Sequence, residues 1–244
     1  TRTDYVQLDK TMTESTPLLA AVARRSITPP REIFLIGYGD RTKGNTGVHD
    51  DLTATALLLD DGATRLAIVA LDMLAINEFI VDRVRAQLPY IEILLCCSHT
   101  HSGPIAYADE KSNRLSRNYM DSLVEKIVAA VKEAARKLAP ARLEVALGEA
   151  GIAINRRERQ PDGHFEIGRN PDGVVDRSVQ VISILKDEES APEKEGRIAT
   201  LVNYACHGTV LGPDNLLVSA DWIGAMRAKV EQELGGLTLF IQGA

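Results

Sequence analysis

Only three cysteines occur in 244 residues, and two of them, Cys96 and Cys97, are adjacent, which is poor geometry for bridging each other. A disulfide framework is excluded, and the fold must rest on packing. Long apolar runs are also missing: the greasiest, Leu66 to Ile76, is cut by Asp72 and falls short of the roughly 18 residues a spanning helix needs. No transmembrane segment is expected. Aromatic residues make up 5% of the chain, Lys and Arg form no block, and the net charge is −6. This supplies neither the stacking surface nor the electrostatic footprint of a nucleic-acid binder, so nucleic acid is not an expected partner. The visible N-terminus shows no basic segment followed by an apolar one, which favours a cytoplasmic location from these residues alone.

What is present is 45% hydrophobic and 25% charged, the composition of a globular protein. Leu18 to Ile27 reads as a strand ending at Pro29-Pro30, and the glycine-rich segment Gly37 to Gly47 as an irregular surface loop. Leu52 to Leu59 and Arg65 to Leu71, joined through Asp61-Gly62, predict a hairpin. Asn77 can cap a helix to about Gln87, followed by the strand Ile91 to Cys97, a β-α-β unit. Ser116 to Leu138 has the period of a long amphipathic helix. Further strands are expected at Arg142 to Leu147, Ser178 to Leu185, Ile198 to Ala205 and Leu237 to Ile241, with a helix over Ala220 to Leu234. A charged turn should join Lys186 to Gly196. The stretch Asn155 to Gly173 reads as a long loop of the kind that shapes binding sites. The fold class is therefore α/β, one domain over residues 1–244, with a mixed sheet flanked by helices in α/β/α layers. Because nothing follows the last strand, its apolar face is expected to be exposed.

The chemistry concentrates at two strand ends. The strand Ile91 to Cys97 runs directly into Ser98-His99-Thr100-His101-Ser102-Gly103-Pro104, and residues i and i+2 of an extended segment point to one side. Both imidazoles would then face one point at the carboxyl end of a sheet strand, where α/β proteins place ligands. His207 follows another apolar strand in Asn203-Tyr204-Ala205-Cys206-His207-Gly208. Three neutral imidazoles with an open position suit zinc, Zn2+, which makes hydroxide available near neutral pH. Taken singly, His207 would more often be a hydrogen-bonded core histidine. Cys97 and Cys206 read as core rather than as thiolate ligands, and His49 and His164 as surface histidines. The signature His-x-His-x-Asp-His would need an Asp where Gly103 stands, and helical His-Glu-x-x-His is absent.

Several short elements then fall into a recognisable order: Ser26-Ile27-Thr28-Pro29, Gly37-Tyr38, Gly47-Val48-His49-Asp50, Leu71-Asp72, His99 to Pro104, Asn155-Arg156, the His207 strand and Ser219-Ala220-Asp221. From about Ser26 to Ala244 the chain resembles the neutral/alkaline ceramidases, and the hexapeptide His99 to Pro104 is the most specific piece. The resemblance implies a zinc amidohydrolase that cleaves the amide of N-acylsphingosine or a related N-acyl lipid. It implies His99, His101 and His207 as zinc ligands, and an arginine holding the substrate carbonyl or oxyanion. Arg156 matches that arginine best, with Arg157 beside it. It also makes secretion an alternative to the cytoplasm.

The departures matter too. The family usually has Gly-Thr before the first histidine, where Cys97-Ser98 stand here, and His-Pro-Thr where Gly208 follows His207. The family also supplies a glutamate and a tyrosine to the zinc from farther downstream. The chain is thus expected to be the N-terminal part of a longer catalytic domain, inactive or nearly so alone. For the general base, Asp72 and Asp221 are the candidates; the alternatives are that Asp221 caps its helix and Asp72 orients an imidazole. Two other functional readings stand beside the amidase: a non-catalytic relative or fragment with an incomplete metal site, and a zinc hydrolase of esters or other amides.

Overall fold

The computed structural model describes residues 17–104, 106, 114–187 and 196–243. Its centre is a mixed sheet of eight strands in the order β12-β10-β9-β6-β1-β3-β4-β5. These are β1 (Leu19–Ser26), β3 (Thr53–Asp60), β4 (Arg65–Leu71), β5 (Glu92–Cys97), β6 (Ala139–Glu149), β9 (Ser178–Lys186), β10 (Arg197–Tyr204) and β12 (Leu237–Gln242). Pairing is antiparallel except for β4 with β5 and β10 with β12. Both parallel pairs enclose a helix, α1 (Glu78–Ala86) in the first and α3 (Asp221–Leu234) in the second. The expected mixed sheet with helices outside it is present.

Local chemistry accounts for the element ends. The β3–β4 hairpin closes because Asp60 Oδ1 accepts from Gly62 N, while Asp61 Oδ1 accepts from Ala63 N and Thr64 N. Asn77 caps α1, its Oδ1 accepting from Ile80 N at 3.2 Å. Helix α2 (Arg114–Ala135) buries Leu123, Val124, Ile127, Val128 and Val131, a stripe of helical period lying over β1 and β3. Helix α3 ends at Gly235 and Gly236, both at positive φ, and a Cβ on Gly236 would stand 2.8 Å from the Ile198 carbonyl oxygen.

The two halves of the sheet meet at a narrow seam, where β1 and β6 pair only at Leu19↔Pro140 and Ala20↔Ala139. The sheet doubles over at that seam. Ala20, Leu57 and Ala70 from one half share a core with Ala199, Leu201 and Leu239 from the other, and the small side chains let β12 approach β3, β4 and β5. Helices α1 and α2 cover the outside of the β1–β3–β4–β5 half, and Trp222, Ile223 and Met226 of α3 cover Val202 and Phe240 on the other. The last strand is therefore well covered: Leu239 and Phe240 are fully buried. This corrects the expectation of an exposed apolar face there, since the cover comes from earlier elements.

Two other expectations change. The stretch Asn155 to Gly173 is a hairpin, not a loop, formed by β7 (Asn155–Arg159) and β8 (Phe165–Asn170). β7 is charged throughout and β8 alternates only at Phe165 and Ile167, too short a run to stand out as a strand; cross-strand pairing holds the hairpin. The glycine-rich segment ends in regular structure, with β2 (Gly47–Val48) pairing in parallel with β11 (Leu217–Val218). Most of the charged turn from Lys186 to Gly196 lies outside the described residues.

Candidate metal centre

Strand β5 leaves the sheet at Cys97, and the next two amides are captured by the end of β4 and the chain just after it: Ser98 N donates to Leu71 O and His99 N to Met73 O. His99 then takes φ 62, a left-handed conformation uncommon for a residue with a Cβ. The extended geometry expected for His99 to His101 is thus replaced by a turn. The imidazoles still converge, because Thr100 bridges to Gly208 and His101 N donates to Gly208 O at 2.9 Å, which zips the two histidine segments together. Gly208 suits this seam, since a Cβ there would lie 3.0 Å from Thr100 Cα.

The three rings stack edge to face, with centroids 5.1 Å apart for His99–His101, 4.7 Å for His99–His207 and 5.7 Å for His101–His207. Each offers a ring nitrogen, and the three nitrogens lie within 4.8 Å of one another. His99 Nδ1 sits 3.0 Å from the Leu74 carbonyl oxygen. An acceptor there places the proton on Nδ1 and leaves Nε2 bare. His101 Nδ1, His101 Nε2 and His207 Nδ1 are buried with no hydrogen-bond partner. Buried polar atoms are normally satisfied, so unpartnered nitrogens on converging imidazoles fit a metal ion. Burial holds the His101 imidazole below its ordinary pKa, with the His99 charge adding to it. His207 is pushed down to about 4 by burial first, then by Arg156 and the other two histidines. Both His101 and His207 therefore favour the neutral, ligating form.

Arg156, at the second position of β7, brings Nη2 to 2.7 Å from His207 Nε2. A guanidinium only donates, so Nε2 is the acceptor in this arrangement. Arg156 and Arg157 line a polar cleft of about 340 Å3 with Asn155, Asp176 and Ala205. On the other flank, Phe34, Leu35, Tyr38 and Leu74 line an apolar cleft of about 430 Å3. The glycine-rich segment read as surface loop is what builds that flank. Leu35 bridges to Pro104, Arg41 Nη1 donates to the His101 carbonyl at 2.6 Å, and the Tyr38 ring meets the His101 ring edge-on at 5.1 Å. Gly37, at φ 120, lies so close that a Cβ would fall 2.6 Å from the His101 ring. Hydropathy carried no sign of these contacts; only the glycine spacing hinted at close backbone approach.

The two carboxylates considered as general bases are occupied by structural work. Asp72 is buried in a two-pronged pair with Arg227, at 2.8 Å for each oxygen, and also accepts from Thr53 N and Oγ1. It does not orient an imidazole; the Leu74 carbonyl does. Asp221 accepts from Val210 N and Leu211 N, fixing the turn after His207, and from Trp222 N. With every oxygen engaged, neither is free to take a proton from water. Asp50 ties the segments together, accepting from Ser219 Oγ and from Ala220 N. Cys97 packs against the helix-covered core, where burial pushes its thiol up to about 12. Burial also raises Cys206, so both thiols are poor ligands. His49 and His164 are exposed, beside Asp50 and between Asp162 and Glu166 respectively.

Comparison with known proteins decides the family. The sequence profile "Neutral/alkaline non-lysosomal ceramidase, N-terminal" matches residues 19–240. The chain belongs to the neutral/alkaline non-lysosomal ceramidase family. The neutral ceramidase of Pseudomonas aeruginosa is 27% identical over 207 residues, covering 78% of this chain and 30% of that one. The neutral ceramidase of Mycobacterium tuberculosis is 27% identical over 228 residues, 83% and 34% of the two chains. The chain thus spans about a third of the length of these ceramidases. The solved structure of the Pseudomonas aeruginosa neutral ceramidase superposes with a TM-score of 0.76 at 24% identity, covering 94% of this chain and 39% of that one. A ceramidase complexed with C2 gives 0.75 at 23% identity, covering 93% and 38%. These superpositions establish a shared fold.

Proposed function

We propose that this chain carries the zinc-binding part of an amidohydrolase that cleaves the amide bond of N-acylsphingosine or a related N-acyl lipid. The observation that carries the reading is the convergence of His99, His101 and His207 with three buried ring nitrogens left without partners. Family membership points the same way, and the ceramidases it resembles are named for this substrate class. A zinc-class ion held by the three imidazoles would supply Lewis-acid polarisation of the amide carbonyl and a source of hydroxide at neutral pH.

The chain's own residues do the rest. The Leu74 carbonyl fixes the His99 tautomer, and Gly37 and Tyr38 fix the His101 ring. Arg156, which borders the cluster through His207, carries the positive charge that opposes the developing oxyanion. The apolar cleft at Phe34, Leu35 and Leu74 suits an alkyl or acyl chain, and the polar cleft at Arg156 suits the hydroxylated end of such a lipid. In the uninterrupted enzyme, Arg156→Ala should lower kcat more than it raises KM, on the order of 100-fold in kcat. A change confined to KM would reassign Arg156 to ground-state binding. Assaying long-chain N-acyl amides against p-nitrophenyl esters tests the substrate class: preference for esters would replace the amidase reading.

A further inference from the structure

Tyr204 closes β10, three residues before His207. Its ring is buried and meets the Trp222 ring edge-on at 6.2 Å, and Trp222 meets Phe240 in the same way at 5.2 Å. A phenylalanine would fill that place as well. What tyrosine adds is the hydroxyl, and both of its hydrogen bonds go to the connection between β6 and β7: Oη donates to Ala150 O at 2.9 Å and accepts from Ala153 N at 3.1 Å. That connection has little else to hold it. Ala150 and Ala153 offer one methyl each to the core around Val202 and Phe240, while Ile152 and Ile154 are exposed. Ala150 N donates to Arg177 O, and Asn155 Nδ2 to Val174 O, but both bonds join the two legs of the β7–β8 hairpin to each other. Among the described residues, the side-chain hydrogen bonds that join the hairpin and its leg to the β10 segment come from Tyr204 and from Arg156, which reaches His207. The histidine side of that contact is held by the same aromatic group, because Trp222 Nε1 donates to the His207 carbonyl at 3.0 Å.

We propose that Tyr204 is a positioning residue for Arg156: its hydroxyl pins the leg of the hairpin, so that the guanidinium stays against His207. Ala153 is three residues from Arg156, at most about 11 Å of extended chain, so a shift of the leg is passed on to the arginine. The guanidinium is charged wherever it lies. What the hydroxyl controls is its distance and direction, on which stabilisation of a developing oxyanion depends. The effect on rate rests on the oxyanion role given to Arg156, and the effect on geometry rests on the two phenol bonds alone.

The test is Tyr204→Phe in the full-length protein, which removes the hydroxyl and keeps the ring against Trp222. Arginine modification by phenylglyoxal, mapped by mass spectrometry, reports geometry: Arg156 should react severalfold faster than in wild type, and the already exposed Arg157 at an unchanged rate. Hydrolysis of a long-chain N-acyl amide reports the consequence. Tyr204→Phe should lower kcat about tenfold and leave KM within about twofold, a smaller loss than that of Arg156→Ala. In an Arg156→Ala background it should cost less than about twofold more, because its effect passes through the arginine. Zinc affinity should match wild type, since Trp222 still holds the His207 carbonyl. An equal loss of kcat in both backgrounds, or Arg156 reactivity unchanged by Tyr204→Phe, would overturn the proposal and leave the hydroxyl a structural anchor. So would an unchanged kcat in Tyr204→Phe where Arg156→Ala lowers it, or a tenfold loss of zinc affinity, which would put the effect at His207. If Arg156→Ala leaves kcat unchanged, or no amide is hydrolysed at all, while Tyr204→Phe still makes Arg156 more reactive, the functional reading falls and the positioning stands.

Discussion

Two polar clusters sit near the carboxyl ends of β4, β5 and β10, and they are opposites. In one, Asp72 and Arg227 are buried and complete: each carboxylate oxygen meets a guanidinium nitrogen, and Thr53 adds two more donors. In the other, His99, His101 and His207 are only partly covered, yet three of their ring nitrogens have no partner. Burying a polar group without a partner costs on the order of 1–3 kcal/mol, so a chain that keeps three of them is built to hold something else. A satisfied cluster fixes the shape, and an unsatisfied one binds. The first serves the second, because the segment Asp72 to Leu74 provides the carbonyls that hold His99 N and Nδ1.

Breaking the satisfied cluster should have the largest effect on folding. Arg227→Met leaves the Asp72 carboxylate buried and unpaired, and denaturant unfolding should show a loss of about 3–5 kcal/mol. Adding Asp72→Asn should recover most of it, since the charge is then gone. A loss below about 1 kcal/mol in the single variant would erase the distinction between the clusters.

A smaller effect is expected where the glycine-rich segment meets the unsatisfied cluster. Gly37→Ala forces a Cβ into φ 120 and against the His101 ring, a strain of about 1–3 kcal/mol. Thermal denaturation should show that loss, and displacement of the ring should weaken metal binding by about tenfold or more. Metal affinity unchanged in a destabilised Gly37→Ala would place His101 outside the ligand set.

Much of this was legible in the residues. Apolar alternation and turn chemistry placed β3, β4, β5, β10 and β12, and an apolar strand running into histidine marked both halves of the cluster. What was not legible depends on distant partners. The turn at His99 follows from the Met73 and Gly208 carbonyls, which no local pattern shows. The β7 strand of the β7–β8 hairpin is charged throughout and β8 alternates only at Phe165 and Ile167, too short a pattern to mark the pairing. Asp72 stood at a strand end like a catalytic carboxylate, and only the α3 residue Arg227, 155 positions later, identifies it as structural. The doubling of the sheet was hidden for the same reason: it is recorded in which alanines face each other.

The pH response should be the mildest effect and should come from the unsatisfied side. His207 has a folded pKa of about 4, below an ordinary imidazole near 6.5, so the unfolded chain binds the extra proton first. Its contribution is intact above about pH 6.5 and is lost progressively as pH falls toward 4. Melting temperatures of the metal-free protein should decline over that window, and His207→Gln should flatten the decline. An identical slope in both proteins would show that His207 does not titrate in this way.

Zinc titration by calorimetry tests the central claim most directly. The account predicts that the wild-type protein binds one zinc ion, and that His99→Ala, His101→Ala and His207→Ala each abolish the transition. Denaturant unfolding of the metal-free His101→Ala protein should stay within about 1 kcal/mol of wild type, because it removes unsatisfied nitrogens, whereas His99→Ala and His207→Ala also remove the bonds to the Leu74 carbonyl and to Arg156 and should cost about 1 kcal/mol more. Zinc binding of equal affinity in wild type and all three variants would contradict the account.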